Sequence, residues 1–124
     1  MLPPRDIDNE GVQEALRAGA VYLDVRSEME FRCGHVPGAR NVPLTAQTSP
    51  EDFLHKVREL ALRGPLIVGC QSGQRSRRAV HLLSTAGWTG LLHHAAGFEG
   101  TRDAFGRLTP GWSTAGHPVE SSAD

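Results

Sequence analysis

Apolar positions along the chain alternate between short continuous runs and runs with helical spacing. The runs "AVYLDV", "PLIVGC" and "GLLHH" are typical of strands covered on both faces, which carry few polar side chains. Apolar residues three and four positions apart predict amphipathic helices over residues 8–18, 49–63 and 75–86. A shorter helical pattern covers residues 27–33. Strands separated by helices predict a mainly parallel sheet with helices on both faces.

Some of these elements have clear start and stop residues, and others do not. The clearest helix has Ser49 as its N-cap and Pro50 in its first position, and Gly64 and Pro65 end it. The segment "GHVPGARNVPL" is too rich in Gly and Pro to be regular over its length. Further on, "AAGFEGTRDAF" suggests one more short helix, whereas "GWSTAGHPVESSAD" is expected to form a tail without periodicity.

Composition limits the functions that are open to the chain. Its 124 residues predict a single domain over 1–124 with a core from about residue 5 to 119, and 39% hydrophobic residues suffice for that core. A net charge of -1 argues against nucleic acid as a partner. The absence of a bilayer-length apolar run and of a secretory pattern predicts a cytoplasmic protein without a membrane partner.

The two cysteines, Cys33 and Cys70, leave a reactive thiol as the main chemical candidate. Two cysteines cannot build a disulfide framework or a four-cysteine metal site. Cys70 lies where a predicted strand ends and a predicted helix begins, and ligands of parallel sheets bind beyond the carboxyl ends of strands. A loop over residues 70–75, with Gly73 free to adopt unusual backbone angles, can direct amide hydrogens at a thiolate. The loop alone is also compatible with a buried, inert cysteine.

Several motifs together carry a family resemblance. "CQSGQRS" resembles the Cys-x-x-Gly-x-Arg-Ser active-site loop of single-domain rhodanese sulfurtransferases. "LDVRSEMEFRCGHVPGARNVPL" resembles their Asp-x-Arg and Gly-His-x-Pro-Gly-Ala signature, and "GFEG" with "GW…GHPV" is similar to their closing segment. The resemblance implies an α/β three-layer sandwich in which helices flank a central, mainly parallel five-stranded sheet. It also implies a cysteine that carries a sulfur atom.

Carried over position by position, the resemblance makes Cys70 the nucleophile. It implies a small anionic sulfur donor such as thiosulfate, a persulfide on Cys70, and cyanide, a thiol or a sulfur-accepting protein as acceptor. That chemistry needs no metal and no organic cofactor. Asp24, Arg26 and Ser76 are expected to support the site. The residues expected to hold the donor are Gln71, Ser72, Gly73, Gln74 and Arg75.

Two other functions remain open at this point. Dual-specificity phosphatases and arsenate reductases of the related type place an arginine six positions after the nucleophile, in a loop wide enough for a phosphate ester. Here position 76 is Ser, Arg75 comes one position early, and Gly69 stands where that pattern usually has His. A non-catalytic binding module is the other alternative, which the presence of Cys70 disfavours.

The remaining candidates are expected to be structural. His35 is expected to fix its loop by a hydrogen bond, and Cys33 to be a bystander thiol. His93 and His94 should not share a metal, because successive strand side chains point to opposite faces of a sheet. Asp24 and Arg26 could equally form an ion pair at a strand end or act on the thiol directly.

Overall fold

The protein is described by a computed structural model, which covers residues 3–122. Eleven helices and strands follow one another in this part of the chain. In chain order they are β1 (Arg5–Ile7), α1 (Asn9–Arg17), β2 (Val21–Asp24), α2 (Glu28–Cys33), β3 (Arg40–Asn41), α3 (Pro50–Glu59), β4 (Leu66–Gly69), α4 (Gln74–Thr85), β5 (Leu91–His94), β6 (Gly100–Arg102) and β7 (Leu108–Pro110). Across residues 3–122, no helix combines the length and apolar character needed to traverse a bilayer.

Five strands form one sheet in the order β1-β5-β4-β2-β3, and each neighbouring pair is parallel. The central strand β4 is buried along its whole length, as its unbroken apolar sequence predicts. Asp24 at the end of β2 lies opposite Gly69 at the end of β4. The predicted α/β fold with a parallel five-stranded sheet is therefore confirmed, and its carboxyl edge brings Asp24 beside the residue that precedes Cys70.

Helices cover both faces of the sheet and create two hydrophobic clusters. On one face α3 and α4 pack against β2, β4 and β5, with Phe53, Val57 and Leu83 fully buried. On the other face α1 and the chain after β7 enclose Val12, Tyr22 and Trp112. Both clusters share the strands that end at the site, so the position of Cys70 is set by packing from both sides.

The helix α3 begins as predicted and ends earlier. The Ser49 side chain accepts a hydrogen bond from the Asp52 amide, and Pro50 opens the helix. The helix stops at Glu59 instead of continuing to Gly64, because Ala61 adopts a left-handed conformation with φ of 50°. This turn lets Leu60 and Leu62 pack against the core before β4 begins.

The prediction of a helix in "AAGFEGTRDAF" is wrong. Residues 95–99 form turns, and β6 follows, paired with β7 in an antiparallel hairpin. The reason lies in two glycines, since Gly97 and Gly100 have φ of 73° and 106°, which a right-handed helix does not allow. The strands β1 and β3, three and two residues long, are too short to give a periodic signal and went unpredicted.

The segment after β7 lacks periodicity, as expected, but it is not a free tail. Trp112 is buried and donates a hydrogen bond from its indole nitrogen to the Pro118 carbonyl, while its ring stacks on His117. Glu120 pairs with His35 through two backbone hydrogen bonds. The last two residues of the predicted tail, 123–124, lie outside the described part of the chain.

Candidate active site

Cys70 lies between the end of β4 and the start of α4, at the carboxyl edge of the sheet. Its thiol is 2% exposed and accepts hydrogen bonds from two backbone amides, those of Gly73 at 3.1 Å and Ser76 at 3.3 Å. The predicted convergence of amide hydrogens on this sulfur is confirmed for Gly73, and Ser76, one position after the predicted loop, adds a second amide. Backbone N–H groups that meet at one atom form a small anion-binding cradle.

Gly73 makes this arrangement possible. It is the N-cap of α4 and has φ of 95°. A Cβ at this position would lie 2.5 Å from the Ala95 carbonyl oxygen. Both the backbone angle and the space therefore require glycine, and the loop owes its tight closure to this residue.

The turn at residues 97–99 holds the loop from behind. The Phe98 amide donates to the Cys70 carbonyl at 2.7 Å, and the Glu99 amide donates to the Gln71 carbonyl at 3.0 Å. Gly97 allows this approach, since a Cβ there would lie 2.5 Å from the Gln71 carbonyl oxygen. The segment expected to be a helix is thus the backbone support of the cysteine loop.

Asp24 and Arg26 form a buried ion pair of 2.8 Å beneath the loop. The Arg26 guanidinium also donates to the Gly34 carbonyl at 2.6 Å and to the Gln71 side chain at 3.2 Å. Its Cζ atom lies over the Phe98 ring, 4.3 Å from the ring centre. The structure therefore shows the structural ion pair, and Arg26 fixes the loop through Gln71.

Arg75 occupies the mouth of the site and is already paired. Its guanidinium makes a two-pronged contact with the Glu30 carboxylate, with distances of 2.7 and 3.0 Å. This hydrogen bonding, helped by bonds from Ser27, lowers the pKa of Glu30 to about 2, and Glu30 in turn raises the pKa of Arg75. Glu30 also completes the capping box of α2 with Ser27. The role of Arg75 in binding a donor stays a prediction.

A cleft of about 420 Å³ borders the loop. Ser72 and Gln74 are exposed at the surface of the loop. Cys33, expected to be a bystander, is exposed on the wall of this cleft, which also includes the 78% exposed Met29. The cleft is lined by Arg26, Ser27, Met29, Glu30, Cys33, Gly34, Gln71, Phe98 and Glu99.

The two adjacent histidines point to opposite faces of β5, as predicted. His93 contacts Ser76 at 2.7 Å on the side of the thiol, whereas His94 contacts Tyr22 at 2.6 Å and Asn9 at 2.7 Å on the other side. Burial lowers the pKa of His94 to about 4 and raises the pKa of Tyr22, so both stay neutral at physiological pH. Among residues 3–122, no three His, Cys, Asp or Glu side chains are grouped to hold a metal ion.

His35 is confirmed as a residue that fixes its loop. Its Nδ1 donates to the Phe31 carbonyl at 2.7 Å, and its ring stacks on Phe31 at 3.8 Å between centres. It thereby secures the end of α2, which carries the Arg75 partner Glu30.

Sequence reasoning missed three residues that complete the site: Asp6, Glu30 and His93. Glu30 could have been found from the capping-box spacing "SEME", which places a carboxylate in the first turn of α2. For His93 the available signal is its place near the end of the predicted strand "GLLHH", at the same sheet edge as Cys70. Asp6 gave no signal, because the three-residue strand that carries it was not predicted.

Gly69 before the nucleophile also has a physical reason. A side chain at this position would collide with the Tyr22 hydroxyl, which fills the space beneath the strand end. The phosphatase-type histidine at this position is therefore incompatible with Tyr22 in its present place.

Comparison with known proteins agrees with this geometry. The sequence model of one protein family, the rhodanese-like domain, matches residues 8–104. Thiosulfate sulfurtransferase 16, chloroplastic, of Arabidopsis thaliana is 36% identical over 95% of this chain and 94% of its own length. Thiosulfate sulfurtransferase GlpE of Ectopseudomonas mendocina is 32% identical over 80% of this chain and 85% of its own length. The crystal structure of Rv0390 from M. tuberculosis has a TM-score of 0.79 at 32% identity, covering 96% of this chain and 98% of that one. This chain therefore belongs to the rhodanese-like domain family.

Proposed function

We propose that this protein is a rhodanese-type sulfurtransferase, which moves a sulfane sulfur from thiosulfate or a similar donor to a thiophilic acceptor through a persulfide on Cys70. The observation that carries the proposal is the buried Cys70 sulfur, which accepts hydrogen bonds from the Gly73 and Ser76 amides at the carboxyl edge of the sheet. Relatives named thiosulfate sulfurtransferase, which align with most of the chain, support the same reaction.

The first half-reaction is a displacement at sulfur. The Cys70 thiolate attacks the outer sulfur of thiosulfate, and a new sulfur–sulfur bond forms. The old sulfur–sulfur bond breaks, and sulfite leaves with its electron pair. Sulfite carries two negative charges, and the outer sulfur keeps its own single charge as the persulfide anion, which amide donors of the loop stabilise.

The second half-reaction returns the enzyme to its starting state. Cyanide or a thiolate attacks the outer persulfide sulfur, and the Cys70 thiolate is the leaving group. In each half-reaction one nucleophile displaces another at a sulfur atom, so the chemistry calls for no metal and no organic cofactor. The cleft beside Gln71 gives a small acceptor a route to the loop, and its exposed Met29 offers an apolar contact to a sulfur-accepting protein.

Charge near the loop favours an anionic donor. The Gly73 and Ser76 amides donate to the nucleophile. The Arg75 guanidinium keeps exposed N–H groups at the mouth of the site, since its side chain is 37% exposed while bonded to Glu30. We infer that these N–H groups bind the sulfonate oxygens of the donor. The Asp24–Arg26 pair carries no net charge and serves to hold Gln71.

The proposal is tested by mass spectrometry after incubation with thiosulfate. We expect a gain of about 32 mass units, one sulfur atom, which peptide mapping places on Cys70. Cys70→Ser should abolish both this gain and transfer to cyanide, while Cys33→Ser, the matched control, keeps them. Sulfur found on Cys33, or none on either cysteine, would overturn the proposal.

The phosphatase alternative is tested with the same preparation. An aryl phosphate and thiosulfate are offered at equal concentration, and phenolate and thiocyanate are measured. A loop that closes with Arg75 five positions after the nucleophile should transfer sulfur and leave the phosphate ester intact. Efficient ester hydrolysis with negligible sulfur transfer would exclude the sulfurtransferase function.

A further inference from the structure

A chain of hydrogen-bonded side chains runs from the Cys70 sulfur to the protein surface. The Ser76 hydroxyl lies 3.3 Å from the Cys70 sulfur and 2.7 Å from Nε2 of His93. Nδ1 of His93 lies 3.0 Å from the Asp6 carboxylate. The links come from four different parts of the fold: the cysteine loop, α4, β5 and β1.

We propose that Ser76, His93 and Asp6 form a proton relay that takes up the thiol proton of Cys70, so that His93 sets the pH at which the nucleophile becomes reactive. The proposal rests on the proposed sulfur-transfer function, since it names the residues that prepare the thiolate for that reaction. His93 acts on Cys70 through Ser76 and is therefore a positioning residue in this scheme.

The hydrogen-bond partners define which ring nitrogen of His93 carries the proton. A carboxylate only accepts hydrogen bonds, so Nδ1 donates to Asp6 and carries a hydrogen. In the neutral ring Nε2 then has a free lone pair, and it accepts the Ser76 hydroxyl hydrogen. The Ser76 oxygen is thereby free to accept the thiol hydrogen of Cys70. Every donor in this chain has an acceptor when the thiol is protonated.

The relay moves two protons and leaves the electrons in place. The thiol proton passes from Cys70 to the Ser76 oxygen, while the former hydroxyl proton passes from Ser76 to Nε2 of His93. The products are a Cys70 thiolate, a neutral Ser76 hydroxyl that now donates to the thiolate, and a His93 imidazolium. The positive imidazolium remains bonded to the negative Asp6 carboxylate, so each new charge lies next to an opposite charge or a donor.

The inner residues of the relay are buried, whereas its outer residue is exposed to solvent. Ser76 is fully buried and His93 is 2% exposed, whereas the Asp6 side chain is 57% exposed. Asp6 lines a second cleft that opens to solvent, and Arg77 approaches it to 3.8 Å on the surface. The imidazole is thus shielded from water, and its charged partner is hydrated and needs no desolvation to stay ionised.

The neighbouring charged groups are engaged elsewhere. Arg75 is bonded to Glu30, and Arg26 to Asp24. On the opposite face of β5, His94 and Tyr22 bond to each other and stay neutral. Among these groups around the thiol, His93 is therefore the one whose free lone pair leads to the sulfur.

A purely structural role is the alternative that the test must exclude. The Ser76 hydroxyl also lies 3.1 Å from the Gly73 carbonyl and could serve only to tie the first turn of α4. A structural role predicts that changes at His93 alter stability and lower reactivity equally at all pH values. The relay predicts a loss confined to low and neutral pH, because bulk hydroxide ionises the thiol in alkaline solution without help.

The test measures the rate of alkylation of Cys70 by iodoacetamide from acidic to alkaline pH, in a Cys33→Ser background that leaves a single thiol. His93→Gln keeps an amide that can bond to Ser76 but cannot take up a proton. We expect its rate to be about tenfold lower near neutral pH and equal to the unchanged rate near about pH 10, a shift of about one pH unit. Asp6→Asn, at an exposed position, should shift the profile in the same direction by about half as much.

His94→Gln is the matched control, since it makes the same change on the next residue of the strand and on the opposite face. Thermal unfolding of every variant reports the fold. A His93→Gln profile that coincides with the unchanged profile, together with an Asp6→Asn profile that also coincides, would overturn the relay. An equal loss of rate at all pH values would overturn it as well. Alkylation does not require sulfur transfer, so failure of the relay and failure of the proposed function are distinguishable.

Discussion

Replacing Gly73 with alanine tests whether the geometry of the cysteine loop, and not merely its residues, produces reactivity. Gly73 donates its amide to the Cys70 sulfur at 3.1 Å while its backbone has φ of 95°. A methyl group added there would lie 2.5 Å from the Ala95 carbonyl oxygen, a distance that real contacts do not reach. The loop must therefore move, because the close atom of Ala95 belongs to the backbone after β5 and cannot be displaced by a side-chain rotation.

The Gly73→Ala substitution is expected to have two effects, one on folding stability and one on the rate of sulfur transfer. The left-handed backbone angle costs alanine about 1–2 kcal/mol of folding stability. Movement of the loop also weakens the amide–thiolate hydrogen bond, and a hydrogen bond to a charged group contributes about 1.5–3 kcal/mol. Because the weakened hydrogen bond acts on the reacting sulfur, the rate of transfer from thiosulfate should fall about ten- to hundredfold.

Gly87→Ala is the control that separates the loss of stability from the loss of transfer rate. Gly87 has nearly the same backbone angle, with φ of 98°, but an added Cβ there has no atom within 4 Å. We expect Gly87→Ala to lose stability by about 1–2 kcal/mol in urea unfolding and to keep its transfer rate. Gly73→Ala should lose both. If the two variants transferred sulfur equally well, the reasoning that assigns the Gly73 amide to the thiolate would be refuted.

Three further predictions concern charged and titratable groups. Arg75→Ala should lower the efficiency of transfer from thiosulfate about ten- to hundredfold, through loss of about 1.5–3 kcal/mol of charge-assisted hydrogen bonding to the donor, and unchanged kinetics would remove Arg75 from donor binding. Burial lowers the pKa of His94 from 6.5 to about 4, so the unfolded chain binds a proton that the folded chain excludes between these values. The free energy of unfolding should therefore decrease as pH falls through that window, by on the order of 3 kcal/mol, and urea titrations in which His94→Gln has the same pH dependence would contradict this. Asp24→Asn should cost about 3 kcal/mol or more in the same assay, because it leaves the buried Arg26 charge without its partner, and a loss below about 1 kcal/mol would show that the pair contributes little.

The sequence predicted those elements whose signal is local and repeated. The unbroken apolar run of β4 and the cap at Ser49 each depend on residues within one element, so the central strand and the start of α3 were found. The end of α3 was not, because the left-handed turn at Ala61 has no sequence marker such as glycine. The turn around Gly97 was mistaken for a helix, since its glycines serve contacts with a loop that lies far away in sequence.

The site was predictable to the extent that it is contiguous. Cys70 and Gly73 lie within one short segment, and their roles in the loop follow from its position between a strand and a helix. Glu30 and Asp6 reach the site from α2 and β1, and only the packing of the sheet and helices brings them there. Motifs therefore identify the nucleophile, whereas the groups that tune it depend on tertiary structure.

The chain after β7 has a consequence for the order in which the protein can complete its fold during synthesis. The Pro110 carbonyl accepts a hydrogen bond from Asn9, 101 residues earlier, and Glu120 accepts one from Gly38, 82 residues earlier. Trp112 closes the hydrophobic cluster on the face that carries α1. Because a ribosome releases the chain from its N-terminus, α1 and β2 emerge long before the residues that cover them. Until the segment after β7 is made, the face beneath α1 stays partly open to water and to proteins that bind nascent chains.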